Sequence, residues 1–420
     1  MDARRGAEPD ATSTADAGEA PMSGALRLIA IVGLEVGLLL RLLPLLAAPT
    51  APLQTCDGRA YYLMAVSWAS GRGFYLDDPY LRSVCSHLGI GPSHHYAPAL
   101  PMIEGAFVSI FGDSPFALAA PLLLLSWGAV AVAWWTTRDL YGSGAALLVS
   151  AALSVEWTGF FYGTWLGYSE NLVLIALTLT VWAVLKGLRD DRFMLLAGLA
   201  AGLGYLSKAG VGWFFLLAGF GGLAWRVLFR GWRVLGNRWY WAAIALFAVP
   251  FLAWAYRNVS LFWDGTPTGL LEAWQTSGPT ARLVAAAIAQ PVELAIGLAG
   301  KLPMLLVFLA LPFVPLAPEL RSALRNWRDE QALGLWMTVG LIFLLGWFFA
   351  AAFWVSERTS LLWADPIRYV APAQVPLLWL IVRERQAFNT RAWALSLVIL
   401  GLLLVAMPLL LAPGRLFDQW

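Results

Sequence analysis

Runs of roughly twenty apolar residues, separated by short segments that hold nearly all the charge, recur from about residue 26 to residue 412. Each run is long enough to cross a bilayer as a helix. The runs are rich in Leu and Ala and lack the alternation of period two that a membrane barrel strand of about ten residues requires. The pattern predicts an all-α integral membrane protein, and because the runs recur throughout the chain they read as spans rather than as a removable leader. Residues 1–24, MDARRGAEPDATSTADAGEAPMSG, carry no apolar periodicity and are rich in Ala, Asp, Glu, Gly and Pro. They predict a disordered cytoplasmic tail ahead of a single domain over 25–420.

Composition agrees with this reading. The chain is 60% hydrophobic and 13% charged, with 23 Trp, far from the roughly 25% charged residues of a soluble domain. No phosphate-binding glycine loop, paired-cysteine motif or supportable Ser-His-Asp set is present, and nothing points to nucleic acid. The only cysteines, Cys56 and Cys85, share one non-apolar segment, where an oxidising compartment would permit a disulfide.

The distribution of Arg and Lys sets the topology, because basic residues in short loops stay cytoplasmic. With the N-terminus inside, about eleven spans follow, near 28–47, 115–137, 143–163, 169–186, 192–207, 210–228, 239–256, 302–317, 333–354, 369–382 and 392–412. Arg138, Arg189, Arg233, Arg238, Arg321, Arg325, Arg383 and Arg391 then all lie inside, and the C-terminus outside. Two apolar stretches, YAPALPMIEGAFVSIFG and ARLVAAAIAQPVELAIGLAGK, are read instead as amphipathic juxtamembrane helices on the external surface. The expected architecture is a polytopic bundle with one long external loop over about 49–113.

A minority of charges violates the inside bias. Asp57, Arg59, Asp78, Glu170, Lys208, Arg257, Asp264, Asp365 and Arg368 fall on the external side, many at span ends. Ionisable groups in such places need partners or a purpose. They imply a polar external chamber ringed by both signs of charge. After Asp57, the stretch TCDGRAYYLMAVSWASGRGF puts Tyr61, Ala65 and Trp68 on one helical face and ends at Gly71 and Gly73. This predicts a helix lying flat at headgroup level and holding an acid at the outer surface.

The order of an acid opening the first external loop, then HHYAPALPMIEGAFVSIFG, GYSENLVLIALTL, LAGLAAGLGYLSKAGV, AYRNVSLFWDGTP and DPIRYVAPAQVPLL resembles the GT-C class of membrane glycosyltransferases. Within that class it is similar to the protein O-mannosyltransferase and aminoarabinose-transferase superfamily, over about 26–385. The resemblance implies a polyprenyl-phosphate sugar donor, an external lipid, glycan or protein acceptor, and a divalent metal requirement that varies between members. The family often shows two adjacent acids in the first loop, whereas Asp57 is followed by Gly58. With no soluble domain expected after the last span, the loops themselves would recognise the acceptor.

Sugar transfer from a lipid phosphate needs a base for the acceptor hydroxyl and cations for the departing phosphate. The resemblance gives Asp57 the role of base, while the local reading makes it the N-cap of the helix that follows. Glu170, in GYSEN, would bind acceptor, metal or a neighbouring Arg, or simply complement a helix N-terminus. Lys208, Arg257 and Arg368 are candidates for the donor phosphate, against snorkelling to lipid headgroups. His94 and His95, with Tyr61, are candidate substrate contacts in the loop, and a metal site using the histidines is the less favoured alternative. No cofactor is expected other than a divalent metal as the alternative. The expected function is an inverting glycosyltransferase of the plasma membrane with an external active site. The rival is a transporter or flippase, which would place charge at mid-membrane within inverted repeats.

The topology carries its own test. In intact cells, Arg189→Cys, Arg233→Cys and Arg325→Cys are expected to resist an impermeant thiol reagent, while Asp264→Cys reacts. Labelling of the first three from outside would overturn the assignment.

Overall fold

A computed structural model describes residues 22–79, 81, 91–93, 96–208, 226–227, 231–261, 263, 265–266, 269, 288–325, 330–357, 365–383 and 388–411. In chain order the helices are α1 (Gly24–Leu40), α2 (Leu43–Ala47), α3 (Cys56–Ala69), α4 (Ala99–Phe111), α5 (Pro115–Tyr141), α6 (Ser143–Ser154), α7 (Trp157–Phe160), α8 (Glu170–Lys186) and α9 (Phe193–Ser207), followed by α10 (Arg238–Ser260), α11 (Pro291–Ala310), α12 (Ala317–Arg325), α13 (Glu330–Glu357), α14 (Asp365–Val370), α15 (Gln374–Arg383) and α16 (Thr390–Leu411). A two-residue antiparallel ladder, β1 (Tyr75–Leu76) with β2 (Gly91–Pro92), pins the loop between α3 and α4. Among the described residues, four helices are long and apolar enough to cross a membrane: Gly24–Ala47, Pro115–Tyr141, Arg238–Ser260 and Glu330–Ala352. A fifth arises if the bent pair at α6 and α7 counts as one span. The expected span at 210–228 lies almost wholly outside the described residues.

Several expectations are corrected. The stretch 143–163 is not one continuous span, because α6 ends at Ser154 and the chain bends by 53° into Trp157–Trp165. Both sides of that break are stitched by buried charge. Arg41 donates from Nε to the Ser154 carbonyl at 3.1 Å and from Nη2 to the Leu153 carbonyl at 2.6 Å, satisfying acceptors that a helix C-terminus leaves open. Glu156 accepts from the Thr158 and Gly159 amides at 2.7 and 2.8 Å, capping the next helix. The segment then closes in a π-helical turn over Phe161–Trp165, which leads to the start of α8.

Farther along, α11 runs unbroken through the boundary expected near residue 302, carrying Pro303 inside it. The distribution of basic residues had placed the stretch ending at Lys301 on the external surface, yet Lys301 is buried. The expected span 369–382 is instead split by a 3-10 turn at Ala371–Ala373, where Pro372 removes a backbone donor and opposes a continuous helix. Close packing of α9 on α10 follows from small residues. A Cβ at Gly202 would lie 2.8 Å from Pro250 Cγ, and one at Gly198 would meet the Ala243 carbonyl.

The aromatic face of α3 does not lie against headgroups. Tyr61, Tyr62, Met64 and Ala65 are all buried, and Gly105 of α4 packs against Trp68 and the Ala65 carbonyl. The helix ends as expected, with Gly71 at φ 80° and Gly73 at φ 75°, a region that favours glycine. Glu104 of α4 is 0% exposed and neither of its carboxylate oxygens has a hydrogen-bond partner. Burial pushes its carboxyl well above the usual range.

The first turn of α3 explains the missing second acid. Gly58 is wedged against the end of the bent segment, where a Cβ would collide with the Leu166 carbonyl oxygen and lie 2.6 Å from that of Pro52. No side chain fits beside Asp57. Gly58→Ala is therefore expected to cost about 1–3 kcal/mol and to displace Asp57. Gly334→Ala, which meets nothing within 4 Å on α13, serves as the control. Equal thermal unfolding midpoints for the two variants would contradict the packing argument.

Candidate functional site

The site begins with the N-terminus of α3. Thr55, not Asp57, is the N-cap, its Oγ1 accepting from the Gly58 amide at 3.0 Å. This corrects the capping reading of Asp57, which stands in the first helical turn, where the helix dipole favours a carboxylate. The Thr55 hydroxyl also donates to the Leu166 carbonyl at 3.1 Å, tying α3 to the segment that delivers Glu170. Glu170 opens α8 directly after the buried N-cap Ser169. Two acids are thus mounted on two helix N-termini whose supports touch.

Their partners come from elsewhere in the chain. Asp57 Oδ2 pairs with Arg368 Nη1 of α14 at 3.2 Å, and Asp57 Oδ1 accepts from the Tyr96 hydroxyl at 2.8 Å. Arg368 Nε lies 3.7 Å from Glu170 Oε1. The same Glu170 oxygen pairs with Lys208 Nζ, just past α9, at 2.5 Å. A continuous run Asp57–Arg368–Glu170–Lys208 results, two acids and two bases alternating. Aromatic faces back it. Arg368 sits 5.0 Å from the Tyr168 ring centroid and 5.1 Å from that of Tyr369, and Lys208 lies 4.7 Å over Tyr369, distances at which a ring attracts a cation.

The electrostatics are those of a partly dry site. Burial lowers the pKa of the Lys208 ammonium, and the Glu170 carboxylate pulls it back up. Burial, and after it the charge of Asp57, pushes the Tyr96 phenol well above its ordinary value, so Tyr96 keeps its proton and donates. Glu170 is only 6% exposed, and its second oxygen, Oε2, has no hydrogen-bond partner. A buried acceptor left this way costs about 1–3 kcal/mol. It therefore marks a place where a ligand hydroxyl would be welcome.

Of the residues expected from sequence, Asp57, Glu170, Lys208 and Arg368 come together. Arg257 does not join them. It donates to the Ser93 carbonyl and, at 2.9 Å, to Asn258 Oδ1, and it lies 4.7 Å from the Trp254 ring centroid. Tyr61 is buried rather than lining an open loop, with its ring 4.8 Å from that of Tyr96 and its hydroxyl 3.4 Å from Ser169 Oγ. His94, His95 and Cys85 lie outside the described residues, while Cys56 is disulfide-bonded. Among the described residues no group of three or more His, Cys, Asp and Glu side chains is placed to hold a metal. Asp57 and Glu170 face cationic side chains instead, so as arranged they do not form a cation-binding set.

Sequence reasoning missed Tyr96, Tyr168 and Tyr369. Each sits inside a stretch already singled out, HHYAP, GYSEN or DPIRYV, but aromatic residues make up 14% of the chain and stand out little. Adjacency to a rare charge was the available signal.

Comparison with known proteins bears on this geometry. The sequence profile of the dolichyl-phosphate-mannose-protein mannosyltransferase family matches residues 95–256. A search of curated protein sequences finds no match. Among solved structures, the chain is similar to ArnT from Cupriavidus metallidurans bound to undecaprenyl phosphate, with a TM-score of 0.53 and 18% identity over 92% of this chain and 64% of that one. It is also similar to the Archaeoglobus fulgidus oligosaccharyltransferase in its apo form, with a TM-score of 0.52 and 14% identity over 92% of this chain and 52% of that one. The chain thus spans less than two thirds of the length of either structure, and at these identities the likeness is one of fold. In sequence over residues 95–256 and in fold over most of its length, the chain resembles the GT-C class of membrane glycosyltransferases.

Proposed function

We propose that the protein is an inverting glycosyltransferase that moves one sugar from a polyprenyl-phosphate donor to an acceptor on the external face of the plasma membrane. The observation that carries this reading is the meeting of Asp57, Arg368, Glu170 and Lys208, from four separate elements, in one run of alternating charge that rings the proposed site on three contacts. Asp57 takes the proton of the acceptor hydroxyl. The acceptor oxygen forms its bond to the anomeric carbon as the bond from that carbon to the phosphate oxygen breaks, and the electron pair leaves with the phosphate. A single displacement through an oxocarbenium-like state inverts the anomeric centre.

The growing charge on the departing phosphate needs fixed cations. Lys208 and Arg368 supply them from within the ring, and Arg257 approaches from the side of Ser93. Glu170 holds both ring cations in place through Oε1 and offers the unpartnered Oε2 to a substrate hydroxyl.

Purified protein incubated with a panel of radiolabelled polyprenyl-phosphate hexoses and pentoses and a membrane extract is expected to label an acceptor. Asp57→Asn is expected to lower turnover roughly a hundred- to ten-thousand-fold with donor binding largely kept, because the amide holds the shape and loses the base. Arg368→Ala and Lys208→Ala should weaken donor binding as well as turnover, since they meet the phosphate in ground and transition states. Arg257→Ala should weaken donor binding less. Normal turnover by Asp57→Asn, with an unchanged melting temperature, would sink the assignment of the base.

A further inference from the structure

Among the described residues, Arg368 and Tyr96 hold the Asp57 carboxylate in different ways. Arg368 at Oδ2 is a cation that the proposed reaction asks to face a phosphate, whereas Tyr96 at Oδ1 is a neutral donor with no charge to offer a leaving group. Tyr96 is itself tightly fixed. It is 5% exposed, its ring packs 4.8 Å from that of Tyr61, and the Tyr61 hydroxyl lies 3.4 Å from Oγ of Ser169, the residue that immediately precedes the helix of Glu170. The phenol therefore relates the position of one acid to the mount of the other.

We propose that Tyr96 is a positioning residue for Asp57. Its hydroxyl holds Oδ1 so that Oδ2 is the oxygen turned toward the reacting hydroxyl once Arg368 engages the donor phosphate. The inference rests on Asp57 being the base. Rotation of an unheld carboxylate about its last torsion would spread Oδ2 over many positions, and misplacement of a reacting group by about 1 Å costs on the order of a hundredfold in rate. The hydrogen bond also stabilises the charged carboxylate, so it sets the pH at which the base becomes available. Because burial and the neighbouring charge keep the phenol protonated, the donor persists through the whole working range of the base.

The test separates positioning from mere support. Tyr96→Phe keeps the ring packing and deletes only the hydroxyl. In ligand-free protein labelled with carbon-13 aspartate, the infrared band lost in Asp57→Asn reports the Asp57 carboxyl. Its titration midpoint is expected to rise by about one pH unit in Tyr96→Phe, a tenfold change in proton affinity. Replacement of Tyr96 by 3-fluorotyrosine, a more acidic phenol and a stronger donor, should move the midpoint the other way. Turnover of a polyprenyl-phosphate sugar should fall about ten- to a hundredfold in Tyr96→Phe, with donor binding unchanged and the acid limb of the rate profile displaced upward. An unmoved midpoint in both variants would overturn the proposal, as would a fall in rate accompanied by lost donor binding. If Tyr96→Phe does not fold, the fluorotyrosine arm decides alone. An inactive Asp57→Asn beside a Tyr96→Phe of parental rate and midpoint refutes the role of Tyr96 only. An active Asp57→Asn refutes the base and the proposal with it.

Discussion

The arrangement depends on the pairing of Arg368 with two acids at once. Its guanidinium touches Asp57 through Nη1 and approaches Glu170 through Nε, bridging the N-termini of α3 and α8 from the short helix α14. Taking such charges out of water costs several kcal/mol per ion, and their attraction seldom returns much more than that. An apolar contact of the same volume would hold these helices at least as well. The ring is therefore better explained by chemistry than by stability. On the proposed reading its bases exchange these acids for the donor phosphate, and its acids then turn toward hydroxyl groups.

The ring stands where it does because the chain before α8 is broken. Arg41 closes the open carbonyls of α6, Glu156 closes the open amides of α7, and the π-helical turn over Phe161–Trp165 brings Leu166 against Thr55. Within a bilayer, interrupted helix is tolerated only where side chains satisfy the freed backbone. Two buried polar side chains, Arg41 and Glu156, do so here. Asn171 completes the repair, donating to the Gly159 carbonyl at 3.0 Å and to Thr164 Oγ1 at 3.3 Å. Position 58 is left without room for a side chain as a result of the same closeness. The glycine at position 58 and the tight seat of Asp57 share one steric cause.

How much of this the sequence disclosed follows from the rarity of each signal. Charge is scarce in a chain that is 13% Asp, Glu, Lys and Arg, so Asp57, Glu170, Lys208 and Arg368 stood out against the apolar runs. The order of their motifs pointed to a common site. The break after Ser154 was illegible, because its residues read as ordinary span and the side chain that repairs it, Arg41, lies 113 residues earlier. The face of α3 was misread for a related reason, since amphipathic spacing does not distinguish headgroups from a neighbouring helix. Tyr96 escaped notice because its role is defined by Asp57, 39 residues away, and not by any local pattern. Arg257, singled out by the same scarcity of charge, packs beside Ser93 and Trp254, a placement that no local pattern discloses.

The most direct test is a structure of the protein by electron cryomicroscopy with a polyprenyl-phosphate sugar bound. The phosphate oxygens are expected within about 3 Å of Lys208 Nζ and the Arg368 guanidinium, with Arg368 drawn off Asp57 and Oδ2 facing the anomeric carbon across the space for an acceptor. A phosphate bound elsewhere, with the Asp57–Arg368 pair intact, would contradict the central claim that this ring is where the donor is read and the sugar transferred.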